Sequence, residues 1–142
     1  MQKLVVLDRD GVINQDSADF IKAPEEWVAV DGSIDAIGRL SEAGYKVAVA
    51  TNQSGVGRGL FSESTLAEIH RKMFDEVARG GGEIDKIVYC PHVPDAGCDC
   101  RKPLPGLFHQ LAEHYGRDMT FHSFPHFEWN SILIMTHSST PD

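Results

Sequence analysis

Four unbroken apolar residues, Leu4-Val5-Val6-Leu7, run into Asp8-Arg9-Asp10-Gly11 and stop there. A short continuous apolar run with β-branched members predicts a strand buried on both faces, the habit of parallel sheets. Lys46-Val47-Ala48-Val49-Ala50 repeats the pattern, and Ile84 to Tyr89 gives a third strand. Between the first two, Ser33 is expected to cap a helix. Ile34, Ile37 and Leu40 keep helical spacing, predicting a helix from about Ile34 to Ala43 closed by Gly44. Between the second and third, Leu66, Ile69, Met73 and Val77 mark a buried stripe. That helix is capped by Ser62, or by Thr65 in a capping box with Glu68, and ends at Gly80-Gly81-Gly82. His70, one step off the stripe, is placed on the helix surface. Pro105 suits the first turn of a helix from Gly106 to Tyr115. Strand, helix, strand in alternation predicts an α/β fold with right-handed crossovers.

Two stretches break the alternation. Gln15 to Glu26 is polar and contains Pro24, and Trp27-Val28-Ala29-Val30 reads as a short strand. Together they predict a flap over the end of the first strand, with a hairpin as one form of it; it is longer than a connection needs. After Gly116 there is no further glycine, helical amphipathicity disappears, and three of the seven histidines crowd beyond Arg117. Ile132 to Met135 is the one strand candidate there, followed by Thr136-His137-Ser138-Ser139. The pattern divides the chain into a domain over 1–116 and an atypical tail over 117–142. His122, His126 and His137 are too irregularly spaced, and too far from acids, to predict a second metal site.

A chain of 142 residues fits one domain, and 42% apolar with 24% charged residues is ordinary for a globular protein. A net charge of -8 argues against a general nucleic-acid surface. Leu4 to Leu7 is too short for a secretory core, and no apolar stretch approaches membrane-spanning length. A cytoplasmic protein is expected. All three cysteines fall between Cys90 and Cys100, which points to metal rather than disulfides.

The chemistry gathers at the predicted strand ends, where parallel sheets bind ligands. Asp8 and Asp10, two apart on an extended chain, point the same way and repel unless a cation or a shared proton intervenes. A hard ion such as Mg²⁺ suits one or two carboxylates plus phosphate oxygens, and a carboxylate can itself become an aspartyl-phosphate. Thr51-Asn52-Gln53-Ser54-Gly55-Val56-Gly57-Arg58-Gly59 supplies hydroxyls, amides and unhindered N–H groups for phosphate oxygens, without the lysine of a Walker loop. Cys90, His92, Cys98 and Cys100 make a complete tetrahedral zinc set, structural because no position stays open. Arg101-Lys102 follows at once, two cations for anchored oxyanions.

In order, Asp8-Arg9-Asp10-Gly11-Val12-Ile13-Asn14, Thr51-Asn52-Gln53-Ser54-Gly55, the Cys-His-Cys-Cys loop and Arg101-Lys102-Pro103 resemble the haloacid dehalogenase-like phosphatases. Within them they are similar to the heptose bisphosphate 7-phosphatases and the histidinol-phosphate phosphatases, over residues 1 to about 116. The resemblance implies a three-layer, Rossmann-like parallel sheet with helices on both faces, a minimal cap and a zinc loop. It implies Asp8 as nucleophile and Asp10 as acid and then base. Mg²⁺ is expected on the Asp8 carboxylate and the Asp10 backbone carbonyl, with Thr51 and Lys102 steadying the phosphoryl group. Asn52, Gln53, Ser54, Arg101 and the flap residues Asp16, Ser17, Ala18 and Asp19 would line the substrate site. The implied substrate is a sugar bisphosphate on the route to the lipopolysaccharide core, and the implied enzyme is a monomer. The alternatives are a histidinol-phosphate phosphatase or an inactive zinc-binding fragment. In the family a further strand beside the first ends in Gly-Asp-Ser or Asp-Asp and completes the Mg²⁺ site. The tail lacks this motif, with its strands missing or replaced. Impaired Mg²⁺ binding and an exposed edge on the first strand are therefore expected.

Overall fold

The computed structural model describes residues 3–116, 119–122 and 132–137. In chain order the main elements are β1 (Lys3–Leu7), α1 (Ser33–Glu42), β2 (Tyr45–Asn52), α2 (Ser54–Gly57), α3 (Glu63–Arg79), β3 (Lys86–Cys90), α4 (Gly106–Tyr115), β4 (Met119–His122) and β5 (Ile132–His137). They build one five-stranded sheet in the order β3-β2-β1-β5-β4.

The apolar runs form parallel strands for the reason their pattern implies. Alternate residues of β1 and β2 face opposite layers, and both layers are apolar. Leu4, Val6, Ala48 and Ala50 pack with Leu107 and Leu111 of α4. Val5, Leu7, Val47 and Val49 pack with Ile37 of α1 and Ile69, Met73 and Val77 of α3. This is the expected three-layer arrangement, with α4 on one face and α1 and α3 on the other.

β1 pairs in parallel with β2, Leu7 opposite Val49, and β2 in parallel with β3, Asn52 opposite Cys90. The chain then crosses to the other edge of β1. The strand order reverses there, and such switch points leave a crevice beyond the carboxyl ends of the strands. Asp8 and Asp10 stand at that crevice.

Several local expectations are corrected. α1 has Gly32, in the left-handed region at φ 88°, at its N-cap, and Ser33 instead donates its hydroxyl to the Ile13 carbonyl at 2.7 Å. Ser62, not Thr65, caps α3, its Oγ accepting from the Thr65 N–H. β2 runs on through Thr51 and Asn52, and part of the glycine-rich loop after it coils into α2. Trp27 to Val30 is no strand: only an isolated bridge joins Ala29 to Asn14. Fully buried Trp27 and buried Ile21 anchor the flap into the core. Lys72 of α3 holds its backbone, Nζ donating to the carbonyls of Pro24 at 2.9 Å and Trp27 at 2.7 Å.

The edge of β1 is also corrected. β5 occupies it in antiparallel register, Leu7 opposite Ile132 and Lys3 opposite Thr136. β4 extends the sheet beyond β5, also antiparallel to it. The apolar run Ile132-Leu133-Ile134-Met135 has the composition for a buried strand, and pairing needs no particular direction. Asp118, His126, Glu128, Ser138, Ser139 and Asp142 lie outside the described residues.

Candidate active site and metal centre

β1 ends and the backbone turns at once. The Arg9 carbonyl collects the N–H groups of Val12, Ile13 and Asn14, at 3.2, 2.8 and 3.2 Å. Gly11 permits the turn at φ 83°, where a side chain would be strained. Asp8 and Asp10 are thereby presented to one hollow of about 350 Å³ lined by Asp8, Asp10, Asp16, Asn52 and Lys102.

Lys102 is almost fully buried and its Nζ lies 3.3 Å from Asp8 Oδ1, which also accepts the Arg9 N–H at 2.8 Å. Burial pushes the Asp8 carboxyl above its usual range, against the pull of the Lys102 ammonium and the Arg9 N–H. Burial likewise lowers the Lys102 ammonium, against the attraction of Asp8. Desolvation outweighs the attraction on both sides. Asp8 Oδ2 takes no hydrogen bond among the described residues.

Asp10 is held differently. Its Oδ1 accepts from Arg9 Nε at 3.1 Å, Arg9 Nη2 at 2.8 Å and Asn14 Nδ2 at 3.0 Å. Its Oδ2 accepts from Gln53 Nε2 at 2.9 Å, and the same amide donates to the buried Thr51 hydroxyl at 2.9 Å. With the carboxylate so committed, the backbone carbonyl of Asp10 stays open among the described residues. The donor set fits a hard divalent ion: a carboxylate from Asp8 and an unengaged carbonyl from Asp10, two residues that line one polar hollow.

Asn52 turns its amide edge onto the backbone of Lys102. Nδ2 donates to the Lys102 carbonyl at 3.1 Å and Oδ1 accepts its N–H at 2.9 Å. A clamp across fifty residues of chain sets Lys102 against β2. Next to it, a hollow of about 210 Å³ is lined by Asp10, Asp16, Ser17, Phe20, Ile21, Asn52, Gln53, Ser54 and Arg101. Arg101 Nη1 is buried and has no hydrogen-bond partner among the described residues. Asp16 and Ser17 reach this lining, whereas Ala18 and Asp19 lie on the exposed flap and line neither hollow. A larger hollow of about 390 Å³ between β1 and α1 is walled almost wholly by apolar residues such as Val5, Leu7, Ile37 and Leu40 and offers little chemistry.

The four zinc candidates converge. One ligand atom each from Cys90, His92, Cys98 and Cys100 lies within 4.8 Å of every other. Cys90 Sγ is 3.6 Å from Cys98 Sγ, and His92 Nδ1 is 3.4 Å from Cys90 Sγ and 3.3 Å from Cys100 Sγ. Zn–S bonds of about 2.3 Å in a tetrahedron place sulfurs about 3.8 Å apart; Cys90 and Cys98 match that spacing, and Cys100, 2.9 Å from Cys90, would move slightly outward to complete a zinc set. Burial opposes ionising Cys98, yet the Arg101 N–H and the neighbouring thiols bring it down to about 7, while burial pushes Cys100 up to about 12. A cation would relieve that conflict. α4 begins directly on this loop, where a Cβ on Gly106 would collide with the Asp99 carbonyl oxygen.

Sequence reading gave no role to three residues that the structure brings into the site. Arg9 is fully buried and grips Asp10. Asn14 shares that carboxylate. His70, expected on the surface, is buried at 4% exposure with Nε2 3.2 Å from Arg9 Nη1. Its spacing of four from Leu66 and three to Met73 was the available signal.

Residues 3–127 match the family described as polynucleotide kinase 3 phosphatase. The chain is 56% identical over 119 residues to the D-glycero-beta-D-manno-heptose-1,7-bisphosphate 7-phosphatase of Pseudomonas aeruginosa, covering 84% of this chain and 67% of that one. It is 59% identical over 113 residues to the enzyme of the same name from Pseudomonas putida, covering 80% and 65%. The solved D,D-heptose 1,7-bisphosphate phosphatase of B. bronchiseptica, complexed with magnesium and phosphate, superposes with a TM-score of 0.78 at 55% identity. That match covers 81% of this chain and 64% of the other. The chain thus spans about two thirds of the length of these relatives.

Proposed function

The chain belongs to the haloacid dehalogenase-like phosphatases matched by the polynucleotide kinase 3 phosphatase family, and on that premise we propose that it removes the 7-phosphate of D-glycero-D-manno-heptose 1,7-bisphosphate. The observation that carries this is the pairing of Asp8 with buried Lys102 beside a fixed Asp10. An Asp8 carboxylate oxygen attacks phosphorus, the bond from phosphorus to the sugar oxygen breaks, and Asp10 protonates the departing oxygen. Asp10 then takes a proton from water as that water attacks the aspartyl-phosphate, releasing inorganic phosphate and restoring Asp8. Oδ2 of Asp10 accepts only Gln53 among the described residues, which leaves it the oxygen for this proton. Lys102 balances charge on the transferring group, and the Thr51 hydroxyl steadies it by hydrogen bonding. The Asp8 carboxylate and the Asp10 carbonyl would hold Mg²⁺, which when bound neutralises the phosphoryl oxygens. Cys90, His92, Cys98 and Cys100 would hold a structural Zn²⁺ that fixes Arg101 and Lys102.

The Arg101 Nη1, without a partner among the described residues, favours a substrate with a second anion, hence a bisphosphate over histidinol phosphate, whose amine is cationic. Asn52, Gln53, Ser54, Asp16 and Ser17 would contact the sugar, with Ala18 and Asp19 completing the flap. No described helix is long and apolar enough to cross a membrane, and the clustered thiols support a cytoplasmic setting. Phosphate release from heptose 1,7-bisphosphate and from histidinol phosphate, each with and without Mg²⁺, tests the reading. The bisphosphate should be the better substrate and release should require Mg²⁺. Preference for histidinol phosphate would replace this reading with the second one.

A further inference from the structure

Arg9 is a charged side chain at 0% exposure, one of the largest fully buried groups in the protein. A guanidinium has five N–H donors and no acceptor. Nε and Nη2 are both spent on Asp10 Oδ1. Nη1 is directed instead at the ring of His70, 61 residues along the chain, at 3.2 Å.

That contact fixes the state of the imidazole. Arg9 only donates, so His70 Nε2 must offer its lone pair and the ring proton must sit on Nδ1. An imidazolium would set two donors and two positive charges face to face. Burial, and after it the Arg9 charge, lowers the His70 pKa to about 3. The ring is held in turn by α3, whose Ile69 and Met73 are fully buried, and by the edge of Tyr89, with ring centroids 6.1 Å apart. The charged and titratable groups about His70 are Arg9, Asp10 and Tyr89.

We propose, resting on the phosphatase reading above, that His70 is a positioning residue for Asp10, acting through Arg9. Its lone pair anchors Nη1 of the guanidinium. The edge formed by Nε and Nη2 is thereby aimed at a single oxygen of Asp10, leaving Oδ2 for Gln53 and the transferred proton. Without the anchor, a buried guanidinium loses one partner and is free to rotate about its own axis, carrying the Asp10 carboxyl with it. A misplacement of about 1 Å at a reacting group can cost about 100-fold.

The test uses the full chain and two variants. His70→Leu removes the acceptor at similar size, and His70→Gln returns an acceptor oxygen. On the heptose bisphosphate, His70→Leu should lower kcat by about 100-fold with KM within about twofold, and His70→Gln should recover most of kcat. Equal loss in both variants, or a change in KM alone, would overturn the proposal. A second readout does not depend on turnover. In ¹⁵N NMR of the unmodified chain, His70 should be the neutral Nδ1–H tautomer at about pH 5, and the Arg9 Nε–H signal should exchange slowly. That signal should be lost in His70→Leu and kept in His70→Gln. A protonated or Nε2–H His70, or an Arg9 signal untouched by His70→Leu, would overturn the anchor. If the unmodified chain shows no turnover on any phosphate ester, the phosphatase reading fails, while the NMR arms still decide whether His70 holds Arg9.

Discussion

β2 and β5 both flank β1, and they serve its carboxyl end in opposite ways. β2 runs parallel to β1, so its own carboxyl end, Thr51 and Asn52, arrives beside Asp8. There Asn52 clamps Lys102 and Gln53 bridges Asp10 to Thr51. β5 runs antiparallel and meets Leu7 with its first residue, Ile132, while Thr136 lies at the far end opposite Lys3. Each strand satisfies the backbone of β1. Only the parallel one delivers residues after its apolar run to the site. The apolar run of β5 ends at Met135, and the Thr136 that follows it lies opposite Lys3, at the end of β1 away from Asp8. Among the described residues, the carboxylates lining the Asp8 hollow are Asp8, Asp10 and Asp16.

The largest effect is expected where the two flanks meet. Asp8→Asn keeps the side-chain shape but cannot form an acyl-phosphate, so turnover should fall on the order of 10⁵-fold with the fold retained by circular dichroism. Substantial residual turnover would remove the covalent step. The β5 flank can then be reversed. Replacing the residues after Gly116 with a strand that runs parallel to β1 and ends in Gly-Asp-Ser should raise Mg²⁺ affinity and turnover by about 100-fold. No gain, in a variant that still folds, would mean that strand direction is not what limits the site.

The β2 flank is broken through its zinc loop. Cys98→Ser should lower bound zinc and cut turnover between about 10- and 100-fold by loosening Arg101 and Lys102. Metal analysis that finds no zinc in the unmodified chain would refute this. The smallest expected effect concerns the layer beneath both flanks. His70 titrates at about 3 in the folded chain against an ordinary 6.5. Its contribution is therefore complete above 6.5 and is lost as pH falls, because the unfolded chain takes up the proton first. By pH 5 the loss is about 2 kcal/mol. Urea unfolding of His70→Gln should show a correspondingly flatter decline between pH 6.5 and 5; an unchanged slope would show that burial does not hold His70 neutral.

The parallel half of the fold was legible because its signals are local. Apolar runs such as Val47-Ala48-Val49 can only be buried strands, and Asp8, Asp10 and the Cys90 to Cys100 ligands sit where those strands end. What was illegible depends on partners far along the chain. His70 reads as polar and therefore exposed until Arg9, 61 residues away, supplies its donor. The Asn52 clamp needs Lys102, fifty residues on. Trp27 looked like part of a strand but serves as a core plug for the flap. The direction of β5 has no local signature, since the same apolar run pairs either way.

The account turns on whether the Mg²⁺ site of this chain works without an acid delivered after the apolar run of β5. The direct measurement is inorganic phosphate release from heptose 1,7-bisphosphate as Mg²⁺ is raised. The account predicts turnover far below an ordinary enzymatic rate of about 10 per second, still climbing without saturation at the highest Mg²⁺. Ordinary turnover with saturable Mg²⁺ dependence would contradict it.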